Sequence, residues 1–300
     1  MRGLPLLAAV LAVTLGGSGA HAQSAPSAPP RSVPLTKDRL SEEQFEALVQ
    51  APLDLVRGGD LAAGERSLEA LVDKRRRRFG PNSLEVADTL HAFGVSLYIQ
   101  GLNSDDLGLR RRSAAYVARA VPIYRAALGP VHPEVALALT DHADILRRID
   151  PDNPPPEVDV ELEESYRIRK AALGMNNVET AQNLASLAVT KGLPSRTGGD
   201  PAKVAAAAAM FNEAIEALRR TPKVTGELGE AYFQLATMYL SNGDLASAQA
   251  TFSAVEAAYP ERDKEPWTEF ALSAAGYADL LEDRGHTREA EAIREHYPMF

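Results

Sequence analysis

From Ser41 toward the C-terminal end, apolar residues return every three or four positions, the period of a helix that buries one face. No stretch shows the strict alternation of a half-buried strand. The pattern predicts an all-α chain whose helices come in pairs. These are 41–57 with 60–78, 83–100 with 109–127, 133–149 with 157–172, 177–191 with 201–220, 226–241 with 244–258, and 267–284 with 286–297. Ser41 followed by Gln44 offers a capping box for the first helix.

A phrase recurs at the head of these helices. Gly80-Pro81-Asn82-Ser83-Leu84-Glu85-Val86-Ala87 is answered by Gly129-Pro130-Val131-His132-Pro133-Glu134-Val135-Ala136, and then by Gly174-Met175-Asn176-Asn177-Val178-Glu179-Thr180-Ala181. Further on, Ala236, Gly243 and Ala248 are matched by Ala278, Gly285 and Ala290, each pair 42 residues apart. A period of that size marks stacked helical hairpins that bury their apolar faces only against neighbours. Loops interrupt the period. Gly59 to Gly80 and Gly108 to Gly129 both span 21 residues, which places an insertion between Gly101 and Gly108. Segments 150–157 and 192–201 read as further insertions, padding rather than contact loops.

Composition adds an address. Residues 1–22 hold Arg2, the apolar run from Leu4 to Val13 and small residues at Ala20 and Ala22, the order of a secretory signal cleaved after Ala22. The apolar run is shorter than the ~20 residues a bilayer needs, so the leader is not expected to stay as an anchor. Residues 23–39 form a Ser/Ala/Pro-rich tether expected to be disordered, because it cannot bury enough apolar surface to offset its ordering entropy. Residues 40–300 form the folded domain. The chain has no cysteine, which excludes disulfides and a lipid-modified cysteine at the cleavage site. Its net charge of −9 becomes −10 when Arg2 leaves with the signal, and an acidic chain of this kind is not expected to bind nucleic acid. The expected location is periplasmic or secreted.

The run from Ala231 to Ala248, continued to Phe252 and Pro260, closely resembles a tetratricopeptide repeat. Tyr232, Leu235, Ala236, Tyr239, Gly243, Ala248, Phe252 and Pro260 stand at the signature positions. The Gly-Pro-x-His-Pro-Glu-Val-Ala form at 129–136, with the 42-residue period, resembles the repeats of kinesin light chains and their bacterial relatives. The resemblance implies a right-handed superhelical solenoid of about six hairpins, with first helices lining a concave groove for a protein or peptide. Aligned to the repeat, the groove candidates are Asp88, His91, Val95 and Tyr98, then Thr140, Asp144 and Arg147, then Glu230, Phe233, Thr237 and Leu240. The paired asparagines of the light-chain repeats are absent: Leu90-His91-Ala92-Phe93-Gly94, Leu139-Thr140-Asp141-His142-Ala143 and Leu184-Ala185-Ser186-Leu187-Ala188 stand in their place. That departure points to a helix or a folded surface as the guest rather than an extended peptide. The first hairpin is degenerate, with Pro52 and Gly64 where the repeat takes small residues and alanine.

Chemistry leaves few marks. No phosphate loop, no H-E-x-x-H and no nucleophile elbow occurs, so neither an enzyme nor a cofactor or metal is expected. His132 belongs to the repeated turn phrase. The basic run Lys74-Arg75-Arg76-Arg77-Arg78 ends a predicted helix, where cations suit the dipole. Arg110-Arg111-Arg112 opens one, where they do not, and so forms the candidate patch for an anionic partner, a membrane surface included. The leading expectation is a non-enzymatic interaction scaffold of the bacterial periplasm. The alternative is a structural protein of the cell envelope that uses its convex surface and basic clusters. Trp267, the single tryptophan, is expected to cap the last hairpin or to offer an exposed anchor.

Overall fold

The computed structural model describes residues 44, 47–151, 153–192, 199–221, 225–258 and 265–296. Among them are twelve α-helices and no strand. In chain order these are α1 Gln50–Arg57, α2 Leu61–Phe79, α3 Leu84–Asn103, α4 Leu107–Leu128, α5 Pro133–Ile149, α6 Glu157–Leu173, α7 Val178–Gly192, α8 Pro201–Arg219, α9 Thr225–Ser241, α10 Leu245–Ala258, α11 Glu265–Asp283 and α12 Thr287–His296. They fall into two compact units that meet in sequence at Ala172 and Leu173. In the first unit α1 packs on α2 and α3, and α3 packs on α4 and α5. In the second, α7 packs on α8 and α9, α9 on α10 and α11, and α11 on α12. Within each unit the first helices thus touch both their own partners and the next first helix, as stacked hairpins require. The leader, the tether and Ser41 of the expected capping box lie outside the described residues, as does the side chain of Trp267.

The first helix departs from expectation. A turn at Leu48 and Val49 precedes α1, instead of one helix running from 41 to 57. Pro52 is the cause: it cannot donate to the Leu48 carbonyl and its ring crowds that oxygen, so the helix restarts with Pro52 in its first turn. Gly64 answers the same irregularity. A Cβ there would lie 2.8 Å from the Pro52 carbonyl oxygen and 2.4 Å from Val56 Cγ2, so only glycine lets α2 approach α1 this closely.

Within three hairpins the chain reverses through a glycine at positive φ: Gly59, Gly243 and Gly285. In each the residue that follows donates its amide back to the helix, Asp60 to Leu55, Asp244 to Tyr239 and His286 to Leu281, closing a Schellman cap. Asp105, at φ 50°, performs the same turn between α3 and α4, with the Asp106 amide on Gly101 O at 2.8 Å. The inserted loop expected between Gly101 and Gly108 is therefore absent. Helix α3 runs 20 residues and α4 22, against 17 for α5 and 19 for α2, so the extra length is nearly one more turn on each helix. Asp106 caps the extended α4 by accepting the amides of Gly108 and Leu109.

In the second unit, Ala236 and Ala248 have no exposure at all, and Phe252 of α10 stacks on Tyr277 of α11 at a centroid distance of 4.7 Å. Ala236→Leu should overpack the α9 interface and lower stability by about 1–3 kcal/mol in urea unfolding, and a neutral result would show that the helix register is wrong.

Candidate functional site

The register positions expected to line a groove divide sharply between the units. On α3, Asp88, His91, Val95 and Tyr98 are all buried, His91 to 1% exposure. They face neighbouring helices rather than solvent. Tyr124 of α4 donates its hydroxyl to Asp88 Oδ1 at 2.8 Å, and His91 lies with Nε2 2.7 Å from Asp141 Oδ2 of α5 and Nδ1 3.4 Å from Tyr124 Oη. Burial pushes Tyr98 up to about 12, with Arg148, Asp144, Arg147 and Arg110 acting on it through space. On α5, Thr140 is buried, its hydroxyl on Ala136 O and on Ser165 Oγ of α6. Asp144 and Arg147 are half-buried and paired with each other at 2.8 Å. The reason is geometric. Helix α3 is enclosed by α1, α2, α4 and α5; Asp88 and His91 are satisfied across those contacts, whereas the Tyr98 hydroxyl is buried without a hydrogen-bond partner among the described residues.

The second unit places its candidates differently. Glu230, Phe233 and Thr237 form a half-exposed stripe along α9, whereas Leu240 is buried to 1%. Ser241, one residue later, is half-exposed in its place. Aligning the fully buried alanines Ala188, Ala236 and Ala278 sets the neighbouring first helices in register. Gln182 and Val189 on α7 and Ala275 and Asp279 on α11 then occupy matching half-exposed positions. Gln234 donates to Glu230 at 2.7 Å, fixing one edge of the stripe.

The two basic runs exchange the roles expected of them. Arg110 is held by Asp105 at 2.5 Å, and Arg112 reaches both carboxylate oxygens of Glu65 on α2 at 2.9 Å, leaving Arg111 alone of the three without a partner among the described residues. With Arg119 on Glu69 and Arg125 on Glu164, these pairs tie the second helices α2, α4 and α6 together. Two of the three cations of the Arg110–Arg112 patch thus have intramolecular partners. The run that closes α2 is not, for Lys74 and Arg77 have no ion-pair partner among the described residues and Arg78 rests on the ring of Phe79. His132 accepts the Glu134 amide at 3.1 Å, capping α5 as the repeated turn phrase required. Among the described residues no three metal-ligating side chains converge, and no helix is long and apolar enough to cross a membrane.

No family model matches the sequence, and no curated protein matches it either. Among solved structures it is similar to the nearly identical TPR-like repeats of a kinesin light chain from Podosopora anserina. The TM-score is 0.54 at 14% identity, covering 74% of this chain and 97% of that one. A point variant of those repeats gives 0.54 at 15% identity, covering 72% and 94%. At such identity the likeness is one of fold, and the fold is the TPR-like helical repeat.

Proposed function

We propose that this TPR-like repeat protein is an exported interaction scaffold that holds a protein or peptide partner on the first helices of its second unit. The fold is one generally used for protein interaction. The observation that carries the proposal is the half-exposed stripe Glu230–Phe233–Thr237 on α9, matched by Gln182 and Val189 on α7 and by Ala275 and Asp279 on α11, while Ala185, opposite Phe233 in register, is buried. A half-exposed phenylalanine one helical turn from Glu230 is the composition of an anchor that a guest can cover. The signal-like leader supports a periplasmic or secreted location. The alternative, an envelope-structural role through the convex surface and basic clusters, has less to draw on at Arg110–Arg112, where Asp105 and Glu65 pair with two of the three charges.

Tagged mature protein should recover a partner from a periplasmic extract, and Phe233→Glu should abolish that recovery while leaving the circular dichroism melt within about 1 kcal/mol of wild type. Recovery unaffected by Phe233→Glu and by Thr237→Arg would remove the stripe from consideration. Tyr98, buried to 3%, is unsuited to the same test because a charge there would unfold α3 before it reported on binding.

A further inference from the structure

The first unit holds a cavity of about 520 Å3 where the end of α2 meets the start of α3. One wall is a single stripe of α2, Leu71, Lys74, Arg75 and Arg78, spaced i, i+3, i+4, i+7. A helix usually spends that spacing on apolar residues turned to a core. Here three of the four are cations. Arg75 forms the floor, half-buried, with its guanidinium on Glu85 O at 3.2 Å and on the Thr89 hydroxyl. Lys74 and Arg78 stand exposed at the rim with no acidic partner among the described residues. Leu48 and Phe79 supply apolar surface, and Phe79 is 44% exposed, one of the few large apolar side chains left open. The helix dipole accounts for cations in a last turn, and Arg76, paired with Asp73 at 3.7 Å, serves there. It does not account for cations lining a cavity beside an exposed phenylalanine.

We infer that this cleft is a second docking site, taking an acidic peptide segment of a partner protein. Carboxylates of the segment sit on Lys74 and Arg78, and an apolar side chain enters against Leu48, Leu71 and Phe79. Charge complementarity selects that guest, and the cavity's size lies within the range of specific pockets. A bilayer surface cannot enter a concave cleft. Glu85 and Asp88 line the opposite wall, which confines the guest's carboxylates to the Lys74 and Arg78 side, and a polyphosphate has no apolar group to place against Leu48, Leu71 and Phe79. The site is separate from the α9 stripe and does not depend on it.

The test uses mature protein and fluorescent peptides of alternating glutamate and leucine, or of glutamine and leucine, read by anisotropy at low salt. Vesicles with and without phosphatidylglycerol run in parallel. The glutamate peptide should bind at least about tenfold more tightly than the glutamine peptide, and Lys74→Glu with Arg78→Glu should weaken it by about tenfold or more. Phe79→Ser should weaken it by about threefold, whereas Arg111→Glu and Phe233→Glu should leave it unchanged. Equal binding of the two peptides, an undiminished affinity in the double variant, an equal loss from Arg111→Glu, or binding of anionic vesicles alone would each overturn the inference. All the substituted cleft residues are solvent-exposed, so thermal melts should confirm folded protein throughout.

Discussion

Gly94→Leu is expected to cost about 3 kcal/mol or more and to loosen the whole first unit. Even a Cβ at Gly94 would lie 2.6 Å from Val117 Cγ2, 3.0 Å from Ser113 O and 3.1 Å from Val117 N. One of those contacts is a side chain, but two are backbone of α4, so rotamer change alone cannot relieve them. Gly101, seven residues on, meets Leu109 Cβ at 3.0 Å and Arg110 N at 3.1 Å, so the two glycines mark a seam along which α3 and α4 touch backbone to backbone. Helix α4 is in turn tied to α2 through Glu65 and Glu69, which limits its retreat. A glycine within a helix is about 1 kcal/mol poorer than alanine, and that gain on substitution falls short of the overpacking. Urea unfolding followed by far-ultraviolet circular dichroism measures the loss, since Trp267 lies in the second unit and would not report it. Val117→Ala in the same chain should restore only part of the stability. Full restoration, or a neutral Gly94→Leu, would show that the backbone contacts are not what glycine serves.

The hairpins were legible because their signals are local: apolar period, glycine at the reversal, and the recurring phrase, opened by Gly80-Pro81, Gly129-Pro130 and Gly174-Met175, at the start of three first helices. Spacing carries no geometry. The equal 21-residue distances from Gly59 to Gly80 and from Gly108 to Gly129 point to an inserted loop, yet Asp105 makes the turn and both helices lengthen. A non-glycine residue in the left-handed region carries no sequence signal strong enough to move a boundary. The groove candidates failed on α3 for another reason. Register tells which residues share a face, but not whether a polar residue on that face meets solvent or a partner on the next helix. His91 and Asp141 are 50 residues apart, and only the packed structure brings them to 2.7 Å. For the basic runs, the helix dipole says nothing of Glu65, a partner 47 residues from Arg112.

That buried pairing makes the first unit's stability depend on pH in a direction that can be worked out. The Tyr124 hydroxyl donates its proton to Asp88, so toward His91 Nδ1 its oxygen can only accept, while Nε2 faces a carboxylate. Both ring nitrogens are therefore donors, which only the imidazolium satisfies. Burial, the largest single influence, pulls the His91 pKa down. The hydrogen bond and charge of Asp141, with Glu134 and Asp88, outweigh it and leave the value raised above 6.5. The charged and titratable groups around the ring are thus Asp88 on its own helix, Tyr124 on α4, and Glu134 and Asp141 on α5. A histidine whose folded pKa is raised contributes stability that is complete below its unfolded pKa and disappears as pH rises through the folded one. His91→Gln should accordingly cost most at the acidic end, about 3 kcal/mol near pH 6, because it leaves Asp141 facing the interior without a cation. The stability difference between wild type and variant should narrow steadily toward pH 9. Asp141→Asn should remove the same slope from the other side of the pair. Urea titrations at a series of pH values decide the matter: a His91→Gln deficit that is constant from about pH 6 to pH 9, or that grows with pH, would show that His91 is held neutral and that the network is an ordinary hydrogen-bonded core.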